Sequence, residues 1–161
     1  MYYPLGEGNY SASQNSPFVY INMVYCGGDD NKYSYNPVSH NFIELCNIAR
    51  KDLNLNGLYL HYTEGSADPR HWVTLPLTGT IKAGSTFLIR GAACSVYNTN
   101  TTIIKVGEPD MYWTKDITKN YLVCDVDTDE EQHSIWDENG LIKLSRKCSI
   151  YLSGGYDKSL Q

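Results

Sequence analysis

The sequence predicts an all-β protein whose eight or nine short strands form a sandwich or a barrel. Val, Ile and Tyr recur in short alternating runs, which is the pattern of half-buried strands. Polar stretches rich in Gly, Asn and Ser separate these runs at regular intervals, as they do in sandwiches and barrels. The chain has 161 residues, 14 of them Tyr and 13 Gly, and its helix-forming residues do not cluster. A single domain of this length buries roughly two-thirds of its unfolded surface, so neither a disulfide nor a metal is needed to stabilise it.

The first 90 residues contain five predicted strands. Alternation within the run Leu58 to Tyr62 places Leu58, Leu60 and Tyr62 on one face and Tyr59 and His61 on the other. Glycine- or proline-containing stretches follow the first, third and fourth of these strands, and the charged stretch 48–52 follows the second as a hairpin connection. Residues 79–85 are predicted to form a tight connection. The five predicted strands are residues 18–25, 41–47, 58–62, 71–75 and 86–90.

The second half is less regular, and it supplies four predicted strands at residues 101–106, 121–124, 141–144 and 148–152. The region 92–136 is longer than a minimal sandwich needs, so it is predicted to include an insertion. Strand alternation lapses at residues 110–119 and 128–137, where we expect any short helix.

Three segments follow from this pattern. Residues 1–16 are rich in Gly, Asn and Ser and are predicted to be an extended arm, residues 17–155 form the sandwich, and residues 156–161 are a short tail. We expect the core to contain Ile43, Leu45, Leu55, Leu58, Leu60, Trp72, Phe87 and Ile89.

Composition excludes several classes of partner. The formal net charge is −5, and the basic residues are scattered rather than gathered into a stripe, which makes nucleic acid an unlikely partner. No stretch of 18 apolar residues is present to span a membrane, and the N-terminal sequence has no signal-peptide pattern. The five cysteines (Cys26, Cys46, Cys94, Cys124 and Cys148) are odd in number and widely spaced, which predicts free thiols and synthesis in a reducing cytoplasm.

No catalytic, cofactor or metal site is predicted. The four histidines, His40, His61, His71 and His133, have none of the spacings of a zinc site. The acidic run from Asp125 to Glu131 resembles a calcium loop but departs from the EF-hand pattern at Glu130 and Trp136, so a solvated loop is favoured. The chain is therefore predicted not to be an enzyme.

Three sequence blocks lie within residues 42–91: the apolar strand Phe42 to Asn47, the turn at residues 52–60 and the connection Gly79 to Gly84. Together they resemble the lamin-tail domain family, which has an immunoglobulin-like β-sandwich fold. The run Phe42-Ile43-Glu44-Leu45-Cys46-Asn47 is similar to the family's first strand, and the turn at residues 52–60 is similar to its Asp-apolar-x-Leu-Ser-Gly-Trp-x-Leu block. Gly79, Ile81 and Gly84 match a Gly-x-Ile-x-x-Gly connection. Ile48, Leu58 and Lys82 stand where the family usually has Pro, Trp and Pro.

The resemblance implies a non-enzymatic structural or adhesive role. We expect the chain to belong to a large assembly, a virion being one setting, and to contact other proteins through residues 1–16 and the region 92–136. The alternative is an adhesive or targeting domain of a larger hydrolase or nuclease. Glu44 within its apolar strand has two interpretations: it faces solvent, or it accepts backbone N–H bonds from the turn at residues 54–57.

Overall fold

The computed structural model describes residues 18–27, 36–64, 72–94, 103–120 and 135–154, and these residues form an all-β structure. They contain ten strands and one 3-10 helix, at Lys115–Ile117. The strands are β1 (Val19–Tyr25), β2 (His40–Asn47), β3 (Leu53–Asn54), β4 (Leu58–Glu64), β5 (Val73–Pro76), β6 (Thr80–Ile81), β7 (Thr86–Ala93), β8 (Met111–Tyr112), β9 (Lys119–Asn120) and β10 (Cys148–Gly154).

The strands form two four-stranded sheets and one two-stranded sheet. Sheet I has the order β1-β2-β7-β8, and sheet II has the order β10-β4-β5-β9. Strands β3 and β6 pair with each other. The described pairings are antiparallel except that of β7 with β8, which is parallel.

One hydrophobic core joins the two large sheets. Ile43 and Phe87 from sheet I and Leu60 and Leu75 from sheet II belong to the same cluster of buried side chains. All eight residues expected in the core are buried, and seven of them belong to this cluster, which confirms the prediction for those seven. Trp72 lies outside this cluster, because its ring packs edge-on against Tyr151 with centroids 4.9 Å apart.

Asn47, at the end of β2, ties three backbone segments together. Its side-chain amide donates to the carbonyl oxygens of Lys51 (2.9 Å), Ile81 (3.2 Å) and Lys82 (3.1 Å). Its side-chain oxygen accepts from the N–H of Ala49 at 2.8 Å. These bonds satisfy buried backbone groups where the chain leaves the sheet, so an asparagine is needed at this position.

The connection from β5 to β7 needs glycine at two positions. Gly79 has φ +99° and Gly84 has φ +63°, which are left-handed conformations that side chains with a Cβ rarely adopt. Between them Ile81 is buried and lies on β6. The prediction of a tight connection at residues 79–85 missed this short strand, because a two-residue ladder leaves no alternation to detect.

Two predicted strands are wrong in the described residues. In the run 101–106 the described part makes only an isolated bridge, between Ile104 and Val38. Residues 141–144 form bridges to Thr114 and Trp136 rather than a strand. The Ile142 carbonyl accepts from the N–H of Ala92, so this apolar run lies across the end of β7 instead of extending a sheet. The predicted strand at residues 121–124 lies outside the described residues.

The described part of the region 92–136 is built into both sheets. It supplies β8 to sheet I and β9 to sheet II. Trp113, between them, is 1% exposed in the core and donates its indole N–H to the Thr118 hydroxyl at 2.9 Å. The 3-10 helix lies within residues 110–119, where a short helix was expected. The predicted arm 1–16, the tail 156–161 and the acidic run 125–131 lie outside the described residues.

Candidate interaction surface

Strand β1 forms one edge of sheet I and exposes large apolar side chains. Among the described strands it pairs only with β2, and the register shifts between Ile21 and Met23. Tyr20, Met23 and Val24 are 48%, 53% and 37% exposed. No residue of Val19–Tyr25 carries a charge. An uncharged edge strand with exposed apolar side chains is a place where another strand can add.

The face of sheet I that points away from the core continues this surface. Residues opposite each other on neighbouring strands present their side chains on the same face. Tyr25 and Phe42 are opposite each other, with stacked rings 6.1 Å apart. On the next strands the Arg90 guanidinium lies 5.2 Å from the ring centroid of Tyr112. We call this surface the outer face of sheet I, and its residues are Tyr20, Met23, Tyr25, Phe42, Glu44, Cys46, Thr86, Leu88, Arg90 and Tyr112.

Both charged groups on the outer face of sheet I already have partners. Glu44 accepts from the side-chain amide of Asn22 at 2.6 Å. This contact supports the solvent-facing interpretation of Glu44 over a bond to the turn at 54–57. Arg90 donates to the Gly107 carbonyl at 2.9 Å and to the Tyr112 hydroxyl at 3.1 Å. A partner on this face would therefore meet a surface that is mainly apolar and aromatic.

The other sheet edges in the described part differ from β1. Every residue of β10, at the edge of sheet II, is half-buried. Strands β8 and β9 each have only two residues, which is too short for an extended ladder. Of the seven large hydrophobic residues exposed in the described part of the chain, three lie on β1. The edge at β1 is therefore the best candidate for a protein contact.

A second polar and aromatic cluster lies on sheet II, on the side facing away from the core. His61 is buried, and its ring stacks on Tyr151 at 4.2 Å. The ring nitrogens lie 2.8 Å (Nδ1) from the Thr74 hydroxyl and 2.7 Å (Nε2) from the Ser153 hydroxyl. These bonds link β4, β5 and β10.

The sequence gives no sign that these residues meet, because they are far apart in the chain. The alternation in β4 predicted only that His61 faces away from Leu58, Leu60 and Tyr62, as the structure shows. A serine beside a histidine is the arrangement of a hydrolytic nucleophile and its base, but a catalytic triad has a carboxylate at the other ring nitrogen. At His61 the Nδ1 partner is the uncharged hydroxyl of Thr74. The two hydroxyl contacts of His61 link neighbouring strands of sheet II.

Burial shifts the pKa of two groups, Tyr62 and His40. Burial raises the pKa of Tyr62, whose hydroxyl accepts from the N–H of Ser145 at 2.9 Å. Burial, and then the positive charge of Arg90, lowers the pKa of His40. Tyr62 therefore keeps its proton, and the His40 side chain is neutral at physiological pH.

In residues 18–27, 36–64, 72–94, 103–120 and 135–154 no group of three or more His, Cys, Asp or Glu side chains is placed to hold a metal ion. No helix of this part of the chain is long and apolar enough to cross a membrane.

The sequence was compared with family models and with curated proteins. No protein-family model matches the sequence, and no curated protein matches it significantly. Fold and surface together define the class: an all-β protein of two sheets around one core, with an apolar strand at one edge.

Proposed function

We propose that this chain is a non-enzymatic interaction module of a large protein assembly and that it is held there through β1. The observation that carries the proposal is the uncharged edge strand with Tyr20, Met23 and Val24 exposed. An extended segment of another protein can add alongside β1 by backbone hydrogen bonds, while its apolar side chains cover those of the edge.

The occupant is an uncharged segment of a different protein rather than a second copy. Glu44 and Arg90, the charges on the outer face of sheet I, are already bonded within the chain, so a charged segment would lose its hydration without gaining a partner. Two copies of β1 paired about a two-fold axis would bring two bulges, each between Ile21 and Met23, into one ladder. Bulges interrupt pairing and are one way in which edges avoid self-association.

The finer classification, an immunoglobulin-like sandwich of the lamin-tail type, belongs to the same proposal. It is supported by the structural roles of residues that match the family's motifs. The Asn47 amide donates to three carbonyl oxygens, and Gly79 and Gly84 adopt left-handed conformations. A virion is the setting we propose first. The arm 1–16 precedes β1 directly in the chain, so its Tyr2, Tyr3 and Tyr10 would reach the same partner.

Substitution on β1 tests the proposal. Met23→Lys places a charge on the exposed edge, and we expect it to prevent incorporation into the native assembly while leaving the melting temperature within a few degrees of wild type. The matched control is Ile117→Lys, because Ile117 is also exposed (43%) but lies on the 3-10 helix. Incorporation is measured by co-sedimentation of the tagged chain with the assembly from the cells that produce it.

Two results would overturn this assignment. One is normal incorporation of the Met23→Lys variant together with failed incorporation of the Ile117→Lys variant, which would place the contact in the region 92–136. The other is wild-type chain that sediments alone as a monomer in its native cells, which would show that no large assembly holds it.

A further inference from the structure

Two cysteines from different sheets meet at one corner of the molecule. Cys26 follows β1 of sheet I, and Cys148 is the first residue of β10 of sheet II. Their sulfur atoms lie 3.6 Å apart, although the residues are 122 positions apart in the chain. Both side chains are half-buried, and neither forms a disulfide in the structure. The fold therefore brings two thiols of distant origin into direct contact.

The segments that carry these thiols are fixed relative to each other. Arg146, two residues before Cys148, donates its Nε–H to the carbonyl of Gly27 at 3.2 Å. The N–H of Gly27 donates to the side-chain oxygen of Asn41 at 2.7 Å, and the Asn41 amide donates to the Ala92 carbonyl at 3.2 Å. The sulfur–sulfur contact is thus held by hydrogen bonds on both sides and does not depend on the thiols alone.

A third thiol lies at the same corner. A Cβ added to Gly27 would lie 2.5 Å from the sulfur of Cys94, so glycine is needed there for that side chain to fit. Cys94 lies near enough to Cys26 to raise the pKa of that thiol, although three other contributions are larger. Cys94 is therefore the alternative disulfide partner of Cys26, and an experiment must distinguish it from Cys148.

We propose that Cys26 and Cys148 form a thiol-modification site that reacts with a low-molecular-weight disulfide of the glutathione class and closes into a reversible disulfide between the two sheets. Cys148 as thiolate attacks one sulfur of glutathione disulfide, and one glutathione leaves as the thiolate and takes up a proton. Cys26, deprotonated in turn, attacks the sulfur of Cys148 in the mixed disulfide and releases the second glutathione. The two protein thiols are oxidised, and one glutathione disulfide is reduced to two thiols.

The distance between the sulfurs allows the disulfide to form, and the pKa directions of the two thiols determine which one attacks first. A disulfide bond is about 2.0 Å long, so the sulfurs need to approach by about 1.6 Å, which is within the reach of side-chain rotation. With Cys26 as the donor of the hydrogen bond between the two sulfurs, this bond lowers the pKa of Cys148, and the same bond, followed by burial, raises the pKa of Cys26. Because the thiolate is the nucleophile, Cys148 attacks first.

The experiment uses the full purified chain. The reduced protein is equilibrated in buffers of increasing ratio of oxidised to reduced glutathione, quenched with acid, alkylated, and mapped by mass spectrometry without reductant. We expect a single Cys26–Cys148 disulfide. The Cys26→Ser variant should accumulate glutathione on Cys148, whereas Cys148→Ser should acquire glutathione on Cys26 at least tenfold more slowly. Cys46→Ser is the matched control and should behave as wild type, because Cys46 lies opposite Tyr20 and Thr86 on the outer face of sheet I.

A second measurement separates the cross-link from an adduct. The oxidised wild-type chain should melt several degrees higher than the reduced chain, because a bond across a long loop restricts the unfolded state. Neither serine variant at the pair should show this redox dependence. Two persistent thiols over the whole range, a Cys26–Cys94 disulfide, or a mixed disulfide on wild-type Cys148 that never closes would each overturn the proposal. The map of the wild-type protein decides this even if a variant fails to fold.

Discussion

At the scale of single residues, side chains that satisfy backbone groups determine where the chain can turn. Asn47 does this at the end of β2, and Tyr62 does it beside β10, where its hydroxyl accepts from the N–H of Ser145. The sequence marked Asn47 as part of a motif but could not give its partners, because Ile81 and Lys82 are more than thirty positions away. Identity of a residue is visible in the sequence, whereas its long-range hydrogen bonds depend on the fold.

Replacing Asn47 by Ala should destabilise the protein by about 1–3 kcal/mol, because buried carbonyl groups lose their donor. Chemical denaturation measures the free energy of unfolding. Asn54→Ala is the control: its side-chain oxygen also accepts a local backbone N–H, from Asn56 at 2.8 Å, but at an exposed turn. The explanation fails if the two substitutions have equal effects.

The ion pair of Asp52 with Lys82 makes a prediction about pH. The hydrogen bond from Lys82 (2.8 Å), and then that from the N–H of Ala83, lowers the pKa of Asp52 below its ordinary value of about 3.9. A lowered pKa means that the contribution to stability is present above the unfolded-state pKa and is lost as the pH falls through the folded-state value. Because the carboxyl is exposed, the effect on stability should be small. NMR titration should find the pKa of Asp52 depressed in wild type and higher in Lys82→Met, and equal values would contradict this.

At the scale of elements, the strands with long alternating runs could be predicted and the short ones could not. Strands β1, β2, β4 and β7 have seven or eight residues and were recognised in the sequence within a few positions. Strands β6, β8 and β9 have two residues each, so their pairing is decided by neighbouring strands rather than by their own pattern. The candidate surface could not be predicted either. Strand order decides which strand lies at an edge, and strand order depends on the fold.

Gly91 in β7 shows how closely the run 141–144 approaches sheet I. A Cβ at Gly91 would lie 2.5 Å from the carbonyl oxygen of Ile142 and 2.9 Å from its Cγ2. We expect Gly91→Ala to cost about 1–3 kcal/mol, because Ile142, whose carbonyl accepts the hydrogen bond from the N–H of Ala92, must shift. Gly107→Ala is the control, since a Cβ there meets nothing within 4 Å. Thermal or chemical denaturation of both variants tests the packing, and an unaffected Gly91→Ala protein would contradict it.

At the scale of the whole molecule, two sheets share one core and the function we propose lies on a surface. The all-β class and the burial of the eight expected residues could be predicted, because burial follows local hydrophobic pattern. The contact of Cys26 with Cys148 could not, since it depends on how sheet I meets sheet II. The described part of the region 92–136 is more integrated than predicted, with Trp113 in the core.

Deletion of residues 1–16 separates stability from assembly. The described core begins at Val19, so we expect the truncated chain to keep its melting temperature within a few degrees. Incorporation into the native assembly should be lost, because the tyrosines that precede β1 would no longer reach the partner. Differential scanning fluorimetry and co-sedimentation are the two measurements. Normal incorporation of the truncated chain would restrict the contact to β1 itself.

Hydrogen exchange at β1 tests the central claim most directly. Amide exchange is measured by mass spectrometry for the isolated chain and for the chain within its native assembly, with β10 as an internal reference because that edge is half-buried throughout. The account predicts that peptides covering Val19–Tyr25 become strongly protected in the assembly, while peptides covering Cys148–Gly154 keep their exchange rates. Equal exchange of β1 in the isolated and assembled chain would contradict it.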